Sequence, residues 1–273
     1  MKARLCLIFI LIIMSSCASQ KKFAYDFVNK SKGAEVALYV PDRLMKDNVR
    51  YDCQPENMED VALEDVFDVI ETRTRVVNKI DDDLFLDILI SSFESTLKDY
   101  DLSLSYWEDG RTNPDSLHWV VDMSHVEVLE YTEYIWASCA TDTDYEILPA
   151  VAVNVAAWFD LINGDKSNLL FTEQNIYEYI RDCYYSKDTA NNVLVNVEYQ
   201  YLTLEEFYDF AVVLGKLYAG YTFDYFMNEY VKKEFQKRNL EYQEEKYLRY
   251  DPYEMYIYYT RKDRLVEIKS IRN

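Results

Sequence analysis

The sequence contains little glycine and proline, with five residues of each among its 273. Tight turns depend on these two residues, so their scarcity argues against a loop-rich β-sandwich. The chain also lacks a glycine-rich phosphate-binding loop and a Gly-x-Ser-x-Gly sequence, which argues against nucleotide-binding proteins and serine hydrolases. The two histidines, His118 and His125, fall in one predicted strand. Their odd spacing puts them on opposite sides of that strand, so one zinc ion could not bind both without a bend.

Basic residues are also in short supply, because 29 Lys and Arg stand against 49 Asp and Glu, for a formal net charge of −20. This charge argues against nucleic acid as a partner and against flat adsorption on anionic lipid. With so many carboxylates, pairs at glycosidase spacing arise by chance and identify no catalytic site. Asp142-Thr143-Asp144 is interpreted as a solvated loop rather than a calcium site. We predict no catalytic residues, metal or cofactor.

Residues 1–17, MKARLCLIFILIIMSSC, contain a long apolar run. Leu5 to Met14 is too short to span a bilayer and, after two basic residues, is typical of a cleaved signal. The sequence Met14-Ser15-Ser16-Cys17 resembles the lipobox of bacterial lipoproteins, with Met14 where leucine is usual. This resemblance implies that Cys17 becomes an acylated N-terminus, whose chains hold the protein in a membrane. The alternative is an ordinary secretory signal with an incidental cysteine.

The residues after Cys17 indicate to which membrane a lipoprotein with this sequence would be sorted. Ala18 stands where aspartate would retain a lipoprotein in the inner membrane, so resemblance to enterobacterial sorting favours the outer membrane. Residues 19–22 lack the acidic run that resembles surface-export signals of Bacteroidota lipoproteins. We therefore predict an outer-membrane protein that faces the periplasm, with the cell surface as the alternative.

Tyrosine is abundant, with 26 residues. Its large amphipathic ring suits binding faces and glycan platforms. One interpretation is a glycan-binding face that includes Trp107, Trp119 and Trp158. The other is that tyrosine replaces Phe and Leu across half-buried strand faces.

Three cysteines remain beyond Cys17, namely Cys53, Cys139 and Cys183. An oxidising compartment permits one disulfide among them, and the sequence does not choose the pair. Three unpaired, mostly buried thiols are the other possibility. The spacing matches no zinc or redox motif.

Hydrophobic periodicity predicts an α+β fold, with helices packed on one side of a largely antiparallel or mixed sheet. The predicted strands are 36–40, 119–135, 147–162 and 169–180. The predicted helices are 84–98 and a run from 203 to about 239, either two helices or one helix kinked at Gly220. Thr203 and Glu206 form a capping box for the second helix, and Asp81-Asp82-Asp83 is interpreted as a cap for the first rather than a cation site. Residues 253–259 and 265–271 are predicted to form a final hairpin.

The predicted domains follow from these elements. They are a signal peptide at 1–16, a lipidated tether at 17–32, an α+β domain at 33–198, and a helical segment with a terminal hairpin at 199–273. The last segment is expected to pack on the α+β domain.

Residues 35–182 resemble the periplasmic lipoproteins related to the curli secretion-channel lipoprotein and the N-terminal domain of TolB. The matching features are a first strand at 35–40, an amphipathic helix at 84–98, and an apolar strand that ends in Asp160 before Gly164. The chain also resembles uncharacterised Bacteroidota lipoproteins of similar length. The scarce glycine and the long stretch at 42–80 depart from the family pattern.

This resemblance implies a role in envelope assembly or structure rather than catalysis. We expect a non-catalytic lipoprotein that binds or scaffolds another envelope component, with an envelope protein as its partner. The alternative is a surface-exposed glycan-binding lipoprotein, and a third possibility is a glycosidase with paired carboxylates.

Overall fold

The structure is a computed structural model that describes residues 20–106, 119–138, 145–163, 166–176, 183–188, 193–199, 202–243, 246–260 and 265–267. The strands are β1 (Glu35–Tyr39), β2 (Met45–Asn48), β3 (Ser103–Tyr106), β4 (Trp119–Ser138), β5 (Tyr145–Asn163), β6 (Lys166–Asn175), β7 (Cys183–Asp188), β8 (Val193–Tyr199), β9 (Tyr247–Asp251), β10 (Tyr256–Thr260) and β11 (Val266–Glu267). The helices are α1 (20–30), α2 (Val66–Arg73), α3 (Asp82–Asp99) and α4 (Leu204–Lys237). The signal peptide, Cys17, Trp107, His118, Cys139, Asp142 and Asp144 lie outside the described residues.

A mixed sheet with the strand order β11-β6-β5-β4-β1-β3 organises the fold, and β2 also pairs with β4. Strands β4, β5 and β6 form an antiparallel meander, whereas β1 is parallel to both of its neighbours. Successive residues of a strand face opposite sides of a sheet. The apolar alternation in β5 therefore turns Val153, Val155 and Phe159 toward the core, where they are almost completely buried.

Helices α1, α3 and α4 pack on that face of the sheet, which confirms the predicted α+β class. Aromatic contacts join the two layers. The ring of Phe159 in β5 lies 5.2 Å from Tyr218 of α4, and Trp119 of β4 lies 5.2 Å from Phe226. Aromatic pairs at such distances add to the free energy of area burial, so these rings fix the helices on the sheet.

The two long helices begin where the sequence predicted. The Asp81 side chain accepts a hydrogen bond from the N–H of Leu84, which confirms its capping role. The Thr203 hydroxyl accepts the N–H of Glu206, and the Glu206 carboxylate accepts the N–H of Thr203. These reciprocal bonds satisfy free N–H groups at the start of α4.

Helix α4 is one continuous element of 34 residues rather than two. Gly220 lies inside it without interrupting the helix. Buried side chains occur all around α4, so packing against several neighbours outweighs the intrinsic cost of a helical glycine. None of the helices that the structure describes is both long and apolar enough to cross a membrane.

The structure corrects the assignment of residues 20–30 to the tether. They form α1, in which Phe23, Ala24 and Phe27 are buried in the core. Only these few apolar residues mark the buried side, so the segment is polar in overall composition. The contact of Phe23 with Phe235 of α4, 5.5 Å between ring centres, supplies the packing that fixes the helix.

The C-terminal hairpin is present but is built from other residues than predicted. Strand β10 pairs with β9, which comes before it, and not with the residues that follow. Val266 and Glu267 of β11 pair instead with Phe171 and Leu170 of β6. The apolar alternation of β10 fits pairing with β9 as well as pairing with the residues that follow. The packing of α4 against β9 selects the first of these.

Candidate functional site

A cleft of about 560 Å³ opens between the end of α3, the middle of α4 and the β9–β10 hairpin. Its lining is rich in tyrosine and also includes charged groups. The tyrosines are Tyr100, Tyr221, Tyr250, Tyr253 and Tyr258, and we refer to this site as the tyrosine cleft. Pockets that combine aromatic walls with a few placed polar groups are the usual form of ligand sites.

Hydrogen bonds from α4 hold strand β9 in place beside the cleft. The Asn228 amide donates to the carbonyl of Leu248 at 2.7 Å and accepts the N–H of Leu248 at 3.0 Å. One turn earlier, the Asp224 carboxylate accepts the N–H of Tyr250 at 3.0 Å. Two polar side chains on one helix thus replace the second strand partner that β9 would otherwise need.

A buried ion pair forms the floor of the cleft. The Arg249 guanidinium donates from Nε to Asp224 at 3.1 Å, and Asp224 is only 3% exposed. Burial lowers the pKa of Arg249, but attraction from Asp224 and from nearby tyrosines outweighs it, so that pKa is held above its ordinary value. The guanidinium also lies 5.3 Å from the ring centre of Tyr221, a cation–π contact.

The tyrosines of the cleft differ in exposure. Tyr100 is enclosed by Phe223 and Tyr250, and burial, followed by the negative charge of Asp224, raises the pKa of its hydroxyl well above the usual range. Tyr253 at the rim is 79% exposed, and its hydroxyl donates to Asp99 of α3 at 2.6 Å. Because the pKa values of Tyr100 and Tyr253 are raised, both hydroxyl groups stay protonated at neutral pH.

Sequence reasoning did not find this cleft. Its residues come from α3, α4 and the β9–β10 hairpin, and the sequence of each segment indicates only the secondary structure of that segment. Leu217, Tyr221 and Asp224 lie on one side of a helix by spacing, which is a signal that the sequence does carry. A carboxylate in such an apolar stripe requires a partner, but the sequence does not identify Arg249 as that partner.

The proposed tryptophan face is not formed by the described tryptophans. Trp119 is 9% exposed and packs in the core between Phe27 and Phe226. Trp158 lies on the opposite face of the sheet, half-buried between His125 and Phe171. The prediction that these two residues share a glycan-binding face is therefore wrong, because adjacent strands turn them to different sides. Trp107 lies outside the described residues.

A second polar cluster lies at the other end of the molecule, around Glu130 of β4. This side chain is fully buried and accepts backbone N–H groups of Arg75, Val76 and Val77 at 2.8–3.1 Å. Arg50 donates to the same carboxylate at 3.2 Å and to Asp52 at 2.7 Å. The alternation Val126, Val128, Glu130 placed this carboxylate on the buried side, a signal that was present in the sequence.

A pocket of about 350 Å³ adjoins the Glu130 cluster and is lined by Tyr51, Arg75 and Tyr134, among others. The charged groups here fasten the segment before α3 to the sheet. We infer that this cluster stabilises the fold, because both oxygens of the Glu130 carboxylate already accept hydrogen bonds from backbone N–H groups.

Asp122 and Asp160 form a carboxylate pair, directly opposite each other on β4 and β5. Burial, and then the charge of Asp160, raises the pKa of Asp122. Asp160 accepts a hydrogen bond from Ser167, whereas one oxygen of Asp122 is buried with no hydrogen-bond partner among the described residues. Like charges opposite each other on a sheet are destabilising.

The variant Asp122→Asn tests how the raised pKa of Asp122 affects the stability of the protein. Ionisation of Asp122 costs more free energy in the folded than in the unfolded chain. The free energy of unfolding therefore falls as the pH rises from the unfolded-state pKa of this carboxyl through its higher folded-state pKa. We expect Asp122→Asn to increase the free energy of unfolding at neutral pH. The gain should disappear in urea titrations below the ordinary carboxyl pKa of 3.8, and an equal gain at low pH would contradict the ionic explanation.

Cys53 is a buried, unpaired thiol, and burial raises its pKa. Nothing is described for the side chain of Cys183. Within the described ranges, no three His, Cys, Asp or Glu side chains converge as metal ligands.

Comparison with known proteins adds no relative to this description. No protein-family model matches the chain, and no curated protein matches it.

Proposed function

We propose that this protein is a non-catalytic lipoprotein of the outer membrane, anchored by acylated Cys17 and facing the periplasm, which binds another envelope component in the tyrosine cleft. The cleft is the observation that carries this proposal. It offers aromatic surface at the rim, above a floor whose charges neutralise each other.

The state of the polar groups in the cleft favours binding over catalysis. The Asp224 carboxylate is engaged by Arg249 and by the backbone of Tyr250, so it serves to hold the hairpin rather than to transfer protons. Tyr100 has a raised pKa, which suits a hydrogen-bonding phenol and not a general base. The exposed Tyr253 ring and the ion pair together resemble the anchor residues of binding interfaces.

The composition of the cleft also favours a second candidate, a surface-exposed lipoprotein that binds glycan. Tyrosine rings present both an apolar face and a hydroxyl group, and hydroxyl-rich ligands need both. Ser95, Thr96 and Lys216 add further hydrogen-bonding groups along the α3 and α4 walls.

Photo-crosslinking in the native membrane tests the cleft. With a photoreactive amino acid at Tyr253, we expect a discrete adduct with one envelope component. The matched control is Phe67 of α2, which is also strongly exposed and lies outside the cleft. The same adducts from both positions, or none from Tyr253, would overturn the assignment of the cleft as the binding site.

Soluble glycan fragments of the envelope test the second candidate. If they bind with Tyr253 as a hot-spot residue, Tyr253→Ala should lower the affinity at least tenfold, since truncation of a hot-spot residue costs about 2 kcal/mol or more and about 1.4 kcal/mol is tenfold. Thermal stability should fall only slightly, because Tyr253 is exposed and its truncation removes one surface hydrogen bond, that to Asp99. Failure of every fragment to bind in calorimetry would remove the glycan hypothesis and leave the first proposal in place.

The membrane anchor is tested separately. We expect Cys17→Ala to release the protein from the membrane fraction, and mass spectrometry of the wild-type N-terminal peptide to show acyl chains on Cys17. Protease added to intact cells should leave the wild-type protein intact if it faces the periplasm. Digestion would place it on the cell surface and favour the glycan candidate.

A further inference from the structure

The folded body begins almost at the proposed lipid anchor. Gln20 is already helical and fully buried, three residues after Cys17. Three extended residues span at most about 11 Å, so the first turn of α1 cannot lie further than that from the acylated cysteine. The structure therefore leaves no long tether that could hold the domain away from the bilayer.

Helix α1 runs antiparallel to α4, which identifies the part of the surface nearest the anchor. Near its start, Phe23 contacts Phe235 and the guanidinium of Arg238 at the end of α4. Further along α1, Phe27 contacts Phe223. Phe223 lies closer to the start of α4 than Phe235 does, by about one-third of the length of the helix. The end of α4 thus lies beside the start of α1, which is the described segment nearest to Cys17 in the chain, and the start of α4 lies about 50 Å away at 1.5 Å per residue.

Basic and aromatic side chains are collected at this end. Lys21 donates to the Tyr256 hydroxyl at 3.2 Å and lies over the rings of Tyr256 and Tyr259. Lys246 lies over Tyr259 at 5.6 Å, and Lys22 is exposed beside Lys21. We define the anchor-proximal surface by Lys21, Lys22, Lys237, Arg238, Lys246, Tyr256 and Tyr259.

The described residues of this surface carry more basic than acidic groups, unlike the chain as a whole. Glu234 is held by Lys237 at 2.8 Å and by Arg238 at 3.6 Å, so its charge is neutralised. Glu241 is the other exposed carboxylate on the connection after α4. Glu254 in the hairpin turn is a third acid, two residues before Tyr256, so the five bases of this surface stand against three described acids. Glu244 and Glu245 lie outside the described residues.

We propose that the anchor-proximal surface rests on the membrane and binds the phosphate-bearing headgroups of phospholipids. Lysine and arginine bind lipid phosphates, and tyrosines with half-exposed rings suit the interface, where one end is apolar and the other wet. Tyr256 belongs to the paired strand β10, yet its side chain is 52% exposed, and contact with lipid requires such an accessible ring. The net charge of −20 argued against flat adsorption, but the described residues of this surface carry more bases than acids.

This inference rests on the proposed acylation of Cys17 and deepens the proposed function. The β9–β10 hairpin carries Tyr256 and Tyr259, over which Lys21 lies, and also Tyr253 and Tyr258, which line the tyrosine cleft. Headgroup binding would therefore set the orientation in which the cleft meets its ligand.

Hydrogen–deuterium exchange of the acylated full chain tests the proposal. The probes are vesicles of phosphatidylcholine alone and of phosphatidylcholine mixed with phosphatidylglycerol, compared with detergent micelles. We expect slower exchange in residues 20–30 and 247–260 on vesicles, with the larger effect on the anionic ones. Lys21→Glu with Lys22→Glu should reduce this protection about thirtyfold or more, since each lysine near an anionic surface contributes about 1 kcal/mol.

The matched control reverses two exposed bases near the opposite end of α4, Arg43→Glu and Lys79→Glu, and should leave the protection unchanged. Tyr256→Ser is a second variant without a charge change and should weaken protection on both kinds of vesicle. Equal exchange on vesicles and in detergent, or loss of protection in the Arg43 and Lys79 control, would overturn headgroup binding while acylation of Cys17 still stood. A mass spectrum without acyl chains on Cys17 would overturn both proposals.

Discussion

Gly215→Ala is expected to destabilise the protein by about 2–3 kcal/mol, the upper part of the range for overpacked cores. A Cβ at this position would lie 2.3 Å from the carbonyl oxygen of Leu89 and 2.9 Å from the backbone nitrogen of Phe93. Those atoms belong to α3 and cannot move without separating the helices. The close approach also supports the bond from the Ser92 hydroxyl to the carbonyl of Val212 at 2.6 Å.

Gly220→Ala is the matched control on the same helix. Its Cβ would meet the Tyr100 hydroxyl at 3.2 Å, the end of a side chain that borders the tyrosine cleft. The hydroxyl can shift into that space, and alanine favours the helix over glycine by about 1 kcal/mol. Urea unfolding of the two variants should therefore separate by about 2 kcal/mol or more, and equal stabilities would contradict the packing argument.

Glu130→Ala is expected to cost about 3–5 kcal/mol, because it leaves Arg50 as a buried charge without its partner on β4. It also removes the acceptor for three backbone N–H groups between Arg75 and Val77. An unsatisfied buried donor costs about 1–3 kcal/mol, so several of them would destabilise the segment that leads into α3. Hydrogen exchange should report the damage first in residues 74–80.

Glu130→Gln separates the two contributions. Glutamine keeps the volume and one acceptor oxygen, but its amide group faces backbone donors where a carboxylate oxygen stood. We expect a loss of stability between those of the wild type and of Glu130→Ala. A cost of less than about 1 kcal/mol for Glu130→Ala would show that water replaces the carboxylate and that the cluster is not a structural support.

The proposed membrane contact and the proposed binding in the tyrosine cleft would both involve the β9–β10 hairpin. Tyr253 holds its turn to Asp99 of α3, and Asp224 and Asn228 hold its first strand to α4. A ligand in the cleft and lipid at the anchor-proximal surface would thus meet on one short, well-supported piece of chain.

The sequence predicted the elements whose signals are local. Strand β5 alternates apolar residues, and from Val153 to Leu161 the direction of these side chains toward the core follows from that pattern. Asp81 and Thr203 were recognised as caps because their hydrogen bonds involve groups three residues away. The α+β class followed from the order of such elements.

Other features depended on contacts between distant segments. Residues 20–30 have a polar composition, and only the position of Phe235 makes Phe23 a core residue. Tyr256 to Thr260 could pair with strands on either side, and the hydrogen bonds of Asn228 select β9. Trp119 and Trp158 seemed alike in sequence, but strand register turned them to opposite faces of the sheet.

The sequence by itself determined the charge, the lipobox-like start and the α+β class, because composition and short-range periodicity need no tertiary information. Only the tertiary structure decided that the folded domain already includes residues 20–30, that the ion pair of Asp224 and Arg249 forms a cleft floor, and that Lys21 lies over Tyr256 and Tyr259. Each of these depends on side chains far apart in the chain, whose proximity is set by the packing of α1 and α4 on the sheet.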